Sequence, residues 1–183
     1  MQLERCARPC TQRGWKTVSS AHSSKLAKGT AALAWLQRQG LAYSCHCYPY
    51  QERGGALHAA RALGLDPLAV VKTLIMQDEV GRPLAVLMHG IGSVSTQALA
   101  RQIGVKSVQP CTPGDAQRYS GYLVGGISPF GFKRAMPIWV EATVLELPRI
   151  WVNGGRRGLL LGLAPALLLQ PLGAQPVHGA LAK

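Results

Sequence analysis

Acidic residues are what this chain has least of. Eight Asp and Glu stand against 20 Lys and Arg in 183 residues, a formal net charge of +12. Seven of the acids follow residue 30, so catalysis by paired carboxylates is thinly supplied. The familiar catalytic signatures are also missing. There is no GxxxxGK[ST], no GxSxG and no HExxH, which argues against a phosphate-binding P-loop, a serine-hydrolase elbow and a zinc-protease helix. Long apolar runs are absent too. The most apolar stretch, "GLLLGLAPALLLQPLG" at 158–173, is broken by Gly162, Pro165 and Pro171. It falls short of the ~20 residues that span a bilayer and reads as a buried strand followed by a short helix. No membrane segment is expected.

Cysteines are few and odd in number: Cys6, Cys10, Cys45, Cys47 and Cys111. With no secretory signal before them, they read as reduced thiols in a cytoplasm rather than as a disulfide framework. Alternation in "CHC" puts Cys45 and Cys47 on one strand face. No second Cys/His pair has a metal-ligand spacing, so no metal site is expected. His22, His46, His58, His89 and His178 are scattered and read as surface or core residues.

What is present is a core and a surplus of positive charge. A hydrophobic fraction of 48% with only 15% charged residues suits a globular domain. Residues 1–29 contain six basic residues and one acid, and read as a flexible basic tail that binds RNA, serves targeting or reflects an upstream start codon. The remainder, 30–183, holds 14 basic and seven acidic residues, and its surplus favours a polyanion such as nucleic acid. The plain alternative is a basic protein with no such partner.

Local signals divide 30–183 into alternating elements. Thr30 is placed to cap a helix over "AALAWLQRQ", stopped by Gly40. "LAYSCHCY" reads as a strand and "ALHAARALG" as a helix closing at Gly64. "AVVKTLIMQ", the turn "DEVGR" and "PLAVLMHG" read as a hairpin. Ser95 caps a helix over "TQALARQIG". Thr112, Pro113 and Asp115 open a short helix to Tyr119. "PIWVEA", "PRIWVN" and "LLLGL" read as strands. The mixture of hairpins and helices predicts an α/β fold with one mixed, barrel-like sheet.

Three features invite chemistry. Lys72 lies in an otherwise apolar strand, where a lysine is either exposed or set in a cleft as a point charge for phosphate. Two glycine-rich segments, "GYLVGGISPFGFKR" (121–134) and "NGGRRG" (153–158), read as tight turns or as backbone donors for an anion or oxyanion.

Taken together, "AVVKTLIM", "SGYLVGGISPFGFKRAMPIWVEA" and "IWVNGGRRG" resemble the YbaK family of aminoacyl-tRNA deacylases, from about Thr30 to about Gly173. The family is itself similar to the editing domain of bacterial prolyl-tRNA synthetases. The resemblance implies an enzyme that acts in trans on the ester between a wrong amino acid and the 3′ end of tRNA, without metal or cofactor. Cys-tRNA(Pro), or another small amino acid on tRNA(Pro), is the implied substrate. Prolyl-tRNA synthetase is an implied partner, and the expected form is a cytoplasmic monomer. By the same resemblance Lys72 holds the terminal phosphate or the aminoacyl end, followed by Thr73. Tyr48 is a pocket tyrosine. Gly125 and Gly126 line the ester with backbone, and Ile127, Ser128 and Pro129 continue that wall. Asn153, Gly154 and Gly155 form the second loop, where the family often has serine in place of Asn153. Two positions depart from the pattern. An aromatic residue is missing near Gly55, and Leu160 replaces an acid. The rival readings are a non-catalytic RNA-binding module with the same fold and a small-molecule esterase.

Overall fold

The computed structural model describes residues 29–181, so the tail expected before Gly29 lies outside the described residues. The chain runs α1 (Ala31–Arg38), β1 (Ser44–Cys47), α2 (Gly55–Leu63), β2 (Val70–Asp78), β3 (Pro83–His89), α3 (Thr96–Ile103), β4 (Val108–Pro110), α4 (Pro113–Ser120) and β5 (Ile138–Glu141). A 3-10 helix (Ala142–Glu146), β6 (Ile150–Asn153), β7 (Leu159–Leu163), a second 3-10 helix (Pro165–Leu168) and β8 (Gln175–Val177) complete it.

All eight strands belong to one sheet, ordered β1-β7-β6-β2-β3-β5-β8, with β4 paired to β2 off this path. The expected hairpin is present, with Val71 to Gln77 of β2 facing His89 to Pro83 of β3 in antiparallel register. β6 joins β2, and β5 joins β3, in parallel. The sheet is therefore mixed, as the alternation of hairpins and crossovers implies.

Each strand buries alternate residues on opposite faces. On one face Val71 and Ile75 of β2, Leu87 of β3, Val152 of β6 and Leu161 of β7 pack with Leu33 and Leu36 of α1 and Ala116 and Tyr119 of α4. Phe130 is fully buried in the same cluster and stacks on Trp35, ring centroids 5.2 Å apart. On the other face Leu99 and Ala100 of α3 cover Met76 and Val86, while Ala59 and Ala60 of α2 cover Val70 and Leu160.

The helix starts follow from local chemistry. The hydroxyls of Thr30, Ser95 and Thr112 accept from the amides of Leu33, Ala98 and Asp115, each satisfying a donor that the first turn leaves open. The structure trims and adds elsewhere. The first strand is confined to Ser44–Cys47 rather than all of "LAYSCHCY". The strands at β4 and β8, three residues each, carry no local signal. The short helix after β7 is a 3-10 turn, and another joins β5 to β6.

One irregularity of the sheet sets up the site. Along one edge β2 bonds β6 at Val70 and Val71, and then β4 from Met76 to Asp78. Lys72, Thr73 and Leu74 border neither strand there. β6 ends at Asn153, and continuing its parallel register sets Asn153 level with Lys72 and Gly154 level with Thr73. The sheet divides where β6 opens into the second glycine loop.

Thr30 ties α1 to that loop. Its hydroxyl accepts from Leu33 at 3.2 Å and donates to the Gly154 carbonyl at 2.6 Å. Thr30→Val removes both bonds at nearly constant volume. It is expected to lower unfolding free energy by about 1–2 kcal/mol in chemical denaturation, whereas Thr30→Ser keeps most of it.

Candidate functional site

Lys72 leaves β2 on the face covered by α2 and α3 and is half-buried. Its ammonium donates to the carbonyls of Gly90 at 3.3 Å and Gly92 at 2.5 Å. Burial pushes its pKa down from the ordinary lysine value. Both ion pairs among the described residues lie elsewhere, at Asp78–Arg82 and Asp115–Arg118. Lys72 is thus oriented by peptide carbonyls and keeps its charge uncompensated by a carboxylate. The turn that holds it is itself fixed by close packing. A Cβ on Gly90 would fall 2.1 Å from the Cβ of Ala56 at the start of α2.

The two glycine loops meet. A Cβ on Gly126 would lie 2.7 Å from the carbonyl carbon of Arg156 and 2.8 Å from the amide nitrogen of Arg157. Main chain therefore packs on main chain with no side chain between. The Arg157 Nε donates to the Val124 carbonyl at 2.9 Å and closes the contact from the solvent side. Gly125 has φ +90°, a conformation L residues rarely adopt. The Gly126 amide donates to Leu123 at 2.9 Å within the turn, whereas the Gly125 amide meets no acceptor among the described residues. Gly125 is exposed, so its N–H is available to a ligand.

The segment after β1 lies against both loops. The Tyr48 amide donates to the Gly158 carbonyl at 3.0 Å. The Tyr48 ring lies 6.0 Å from that of His58 on α2, and packs in the cluster that holds Ala56 and Trp151. Its hydroxyl pKa is raised, first by burial and then by the neighbouring Tyr50, against a backbone contact from Gly158. The Tyr50 hydroxyl lies 3.0 Å from where a Gly125 Cβ would be, and the Arg157 guanidinium lies over its ring, 5.1 Å from the centroid.

A continuous set of contacts thus runs from Lys72 through Gly90 to Ala56, and from Ala56 through Tyr48 to Gly158 and the glycine loops. Of the expected site residues, Lys72 and Tyr48 share this face. Gly125, Gly126, Gly154 and Gly155 form the loops beside it, with Asn153 half-buried at the end of β6. Ile127, Ser128 and Pro129 are buried behind Gly126, and the Ser128 hydroxyl accepts from the Phe130 amide at 3.4 Å. Thr73 points to the opposite face from Lys72. It is buried, and its hydroxyl has no partner among the described residues. Leu160, at the position of the missing acid, is buried beneath α2 with Ala59, Ala60 and Val70. No group of three or more His, Cys, Asp or Glu comes together among the described residues.

Sequence reasoning missed three contributors: the Gly90–Gly92 turn that orients Lys72, the Tyr50 ring, and Arg157. None of the three carried a local signal: β1 is half-buried at every position and stops at Cys47, so no alternation reaches Tyr50. More cations lie at the base of the first glycine loop. Arg118 and Arg134 both lie over the Tyr119 ring, 4.8 and 5.4 Å from its centroid, and Lys133 covers Gly121 at the start of the first glycine loop. No helix of the described residues is long and apolar enough to cross a membrane.

Known proteins resemble this chain in sequence and in fold. Residues 55–170 match the family described as the aminoacyl-tRNA editing domain. EbsC of Enterococcus faecalis, named provisionally as a Cys-tRNA(Pro)/Cys-tRNA(Cys) deacylase, is 26% identical over 146 residues, covering 79% of this chain and 89% of EbsC. A proline–tRNA ligase of Levilactobacillus brevis is 29% identical over 95 residues, which is 51% of this chain but 16% of the ligase. The fold matches a solved structure described provisionally as a trans-editing enzyme for prolyl tRNA synthetase, with TM-score 0.74 and 24% identity over 85% of this chain and all of the other. A second solved structure, the hypothetical protein APE2540, gives TM-score 0.76 at 24% identity over 82% of this chain and 99% of the other. With the editing-domain match extending over most of the described fold, the chain belongs to the aminoacyl-tRNA editing domain family.

Proposed function

We propose that the protein is a trans-editing hydrolase that cleaves the ester of mischarged aminoacyl-tRNA, with Cys-tRNA(Pro), or another small amino acid on tRNA(Pro), as substrate. The observation that carries this reading is the amide of exposed Gly125, which bonds to no described acceptor, on a loop locked against Arg156 and Arg157. A fixed N–H of this kind stabilises the oxyanion that forms when an ester is attacked. An aminoacyl ester is already activated, which suits a site without a carboxylate pair or a metal cluster.

In this mechanism the oxygen of a bound water attacks the ester carbonyl carbon, and the carbonyl oxygen gains negative charge toward the Gly125 amide. The bond to the ribose oxygen then breaks, and the proton lost by the water ends on that ribose oxygen. Where the amino acid is cysteine, its own thiol sulfur can attack the ester carbon in place of water; the bond to the ribose oxygen breaks, that oxygen takes the thiol proton, and the residue leaves as a thiolactone. Lys72 seats the terminal phosphate or the aminoacyl end, an orienting role. The name of the Enterococcus relative supports cysteine and tRNA(Pro). The ligase match supports prolyl-tRNA synthetase as the enzyme whose errors are corrected. The buried Leu160 in place of an acid favours a second reading, an RNA-binding module that does not hydrolyse. Deacylation assays with tRNAs charged with Cys, Ala, Ser, Thr and Pro separate the two. Hydrolysis of none of them, with tRNA still bound, would establish the second.

Three expectations belong to the first reading. Lys72→Ala should lower kcat/KM on the order of 100-fold while circular dichroism shows an intact fold. Retention of the native rate would remove Lys72 from the site. The pH profile carries a sign. Burial lowers the Lys72 pKa, so its charge is lost below the ordinary lysine range as pH rises. After subtraction of spontaneous ester hydrolysis, the rate should fall on the alkaline side, and Lys72→Arg should move that fall to higher pH. Gly126→Ala forces the loops apart and should lower turnover by a factor on the order of 100. Gly114→Ala, whose Cβ would find only Thr112 Oγ1 at 3.9 Å, should leave it unchanged.

A further inference from the structure

Tyr50 has no part in the chemistry above, yet it occupies a distinctive position. It is 39% exposed, directly beside the most exposed face of the first glycine loop. One side of its ring carries the Arg157 guanidinium at 5.1 Å, and Arg157 is itself fixed by its bond to the Val124 carbonyl. The ring also lies close to both glycine loops at its base and tip. Its Cβ lies 3.7 Å from where a Gly158 Cβ would be, and its hydroxyl 3.0 Å from the corresponding position on Gly125. The neighbouring loop tip exposes Leu123 (53%) and Val124 (44%), apolar surface that a purely electrostatic contact has no use for. Arg157 and its neighbour Arg156 are exposed there, and Lys133 and Arg134 are exposed farther along, at Gly121 and Tyr119 at the base of the same loop.

An exposed aromatic ring, backed by an arginine and bordered by apolar and cationic surface, is the chemistry that recognises unpaired nucleobases. Each base offers a π-face for stacking while its backbone runs along the positive charge. A phosphate-only contact would use the cations and leave the ring idle. A duplex keeps its bases stacked internally and offers no face. We infer that Tyr50 and Arg157 form a stacking platform for an unpaired base of the single-stranded 3′ end of tRNA, next to the Gly125 amide. This rests on the editing reading above and adds to it the part of the RNA that is gripped. The platform lets the enzyme distinguish a frayed, single-stranded end from duplex RNA, and fixes the last nucleotides so that the ester reaches Gly125.

The test uses two uncharged probes with the full chain: a single-stranded oligoribonucleotide ending in CCA, and a blunt RNA duplex of equal length. Tyr50→Ala and Tyr50→Leu should weaken single-strand binding by about 5- to 100-fold. Both should leave duplex binding within about twofold, and Tyr50→Phe should behave as wild type on both probes. Leucine keeps apolar bulk without a π-face, so it separates stacking from packing. With charged tRNA, Tyr50→Ala should lower kcat/KM by at least the factor by which it weakens single-strand binding. Tyr50→Trp should add a fluorescence signal that the single strand quenches. Unchanged single-strand affinity in Tyr50→Ala, equal loss on both probes, or no single-strand binding by the wild type would overturn the inference. Absence of hydrolysis by a wild-type protein that still binds the single strand through Tyr50 would instead overturn the editing reading and leave the platform standing.

Discussion

The site depends on two stretches of main chain lying closer together than any side chain allows. Gly126 rests on the peptide between Arg156 and Arg157, and a single added carbon would sit 2.7 Å from that backbone. The approach fixes both loops at once. It leaves Gly125 outside the contact, with φ +90° and an amide facing away from every described acceptor. The core supports the arrangement from behind, because Ile127, Ser128 and Phe130 anchor the first loop and the Thr30 hydroxyl anchors the second. Backbone donors held in this way cost no reorganisation when charge develops on a substrate.

On the proposed reading, such a site would explain why the chain can do without acids. Carboxylates and histidines are the usual means of making a poor nucleophile or leaving group reactive. An activated ester needs chiefly to be placed, and placement here is a matter of glycines, a buried wall and one half-buried lysine. His46, His58 and His89 have structural partners instead. His89 bridges the Leu68 carbonyl and the Thr143 hydroxyl, and His58 meets the Pro49 carbonyl. On the proposed reading the chemistry would live in backbone geometry, which no short catalytic motif announces.

Much of this was legible in the sequence where the cause is local. Thr30, Ser95 and Thr112 cap helices because each hydroxyl reaches an amide three residues on, and Gly64, Gly104 and Gly121 end helices because each adopts positive φ. The β2–β3 hairpin was legible from its turn. What escaped has distant causes. β4 and β8 exist only through pairing with β2 and β5, and each contains a proline that speaks against a strand. The parallel joins of β5 and β6 depend on the crossovers. The Gly90–Gly92 turn acquires its meaning from Ala56, a contact no local pattern encodes. Family resemblance grouped Lys72 with Thr73, yet the two-residue period of a strand separates them onto opposite faces. That division was readable from the sequence alone.

The way Lys72 is held bears on how the protein meets its substrate over distance. Two carbonyls orient the ammonium without neutralising it, so its field remains intact but enclosed. At physiological ionic strength exposed charges are screened beyond about 8 Å, while partly buried ones are screened far less. On the proposed reading Arg134, Arg156 and the other exposed cations would serve capture from solution, a step that salt weakens. Lys72 would act over the last few ångströms, where an enclosed charge is screened least. Encounter and seating would then fall to different cations, with ionic conditions slowing the first and sparing the second.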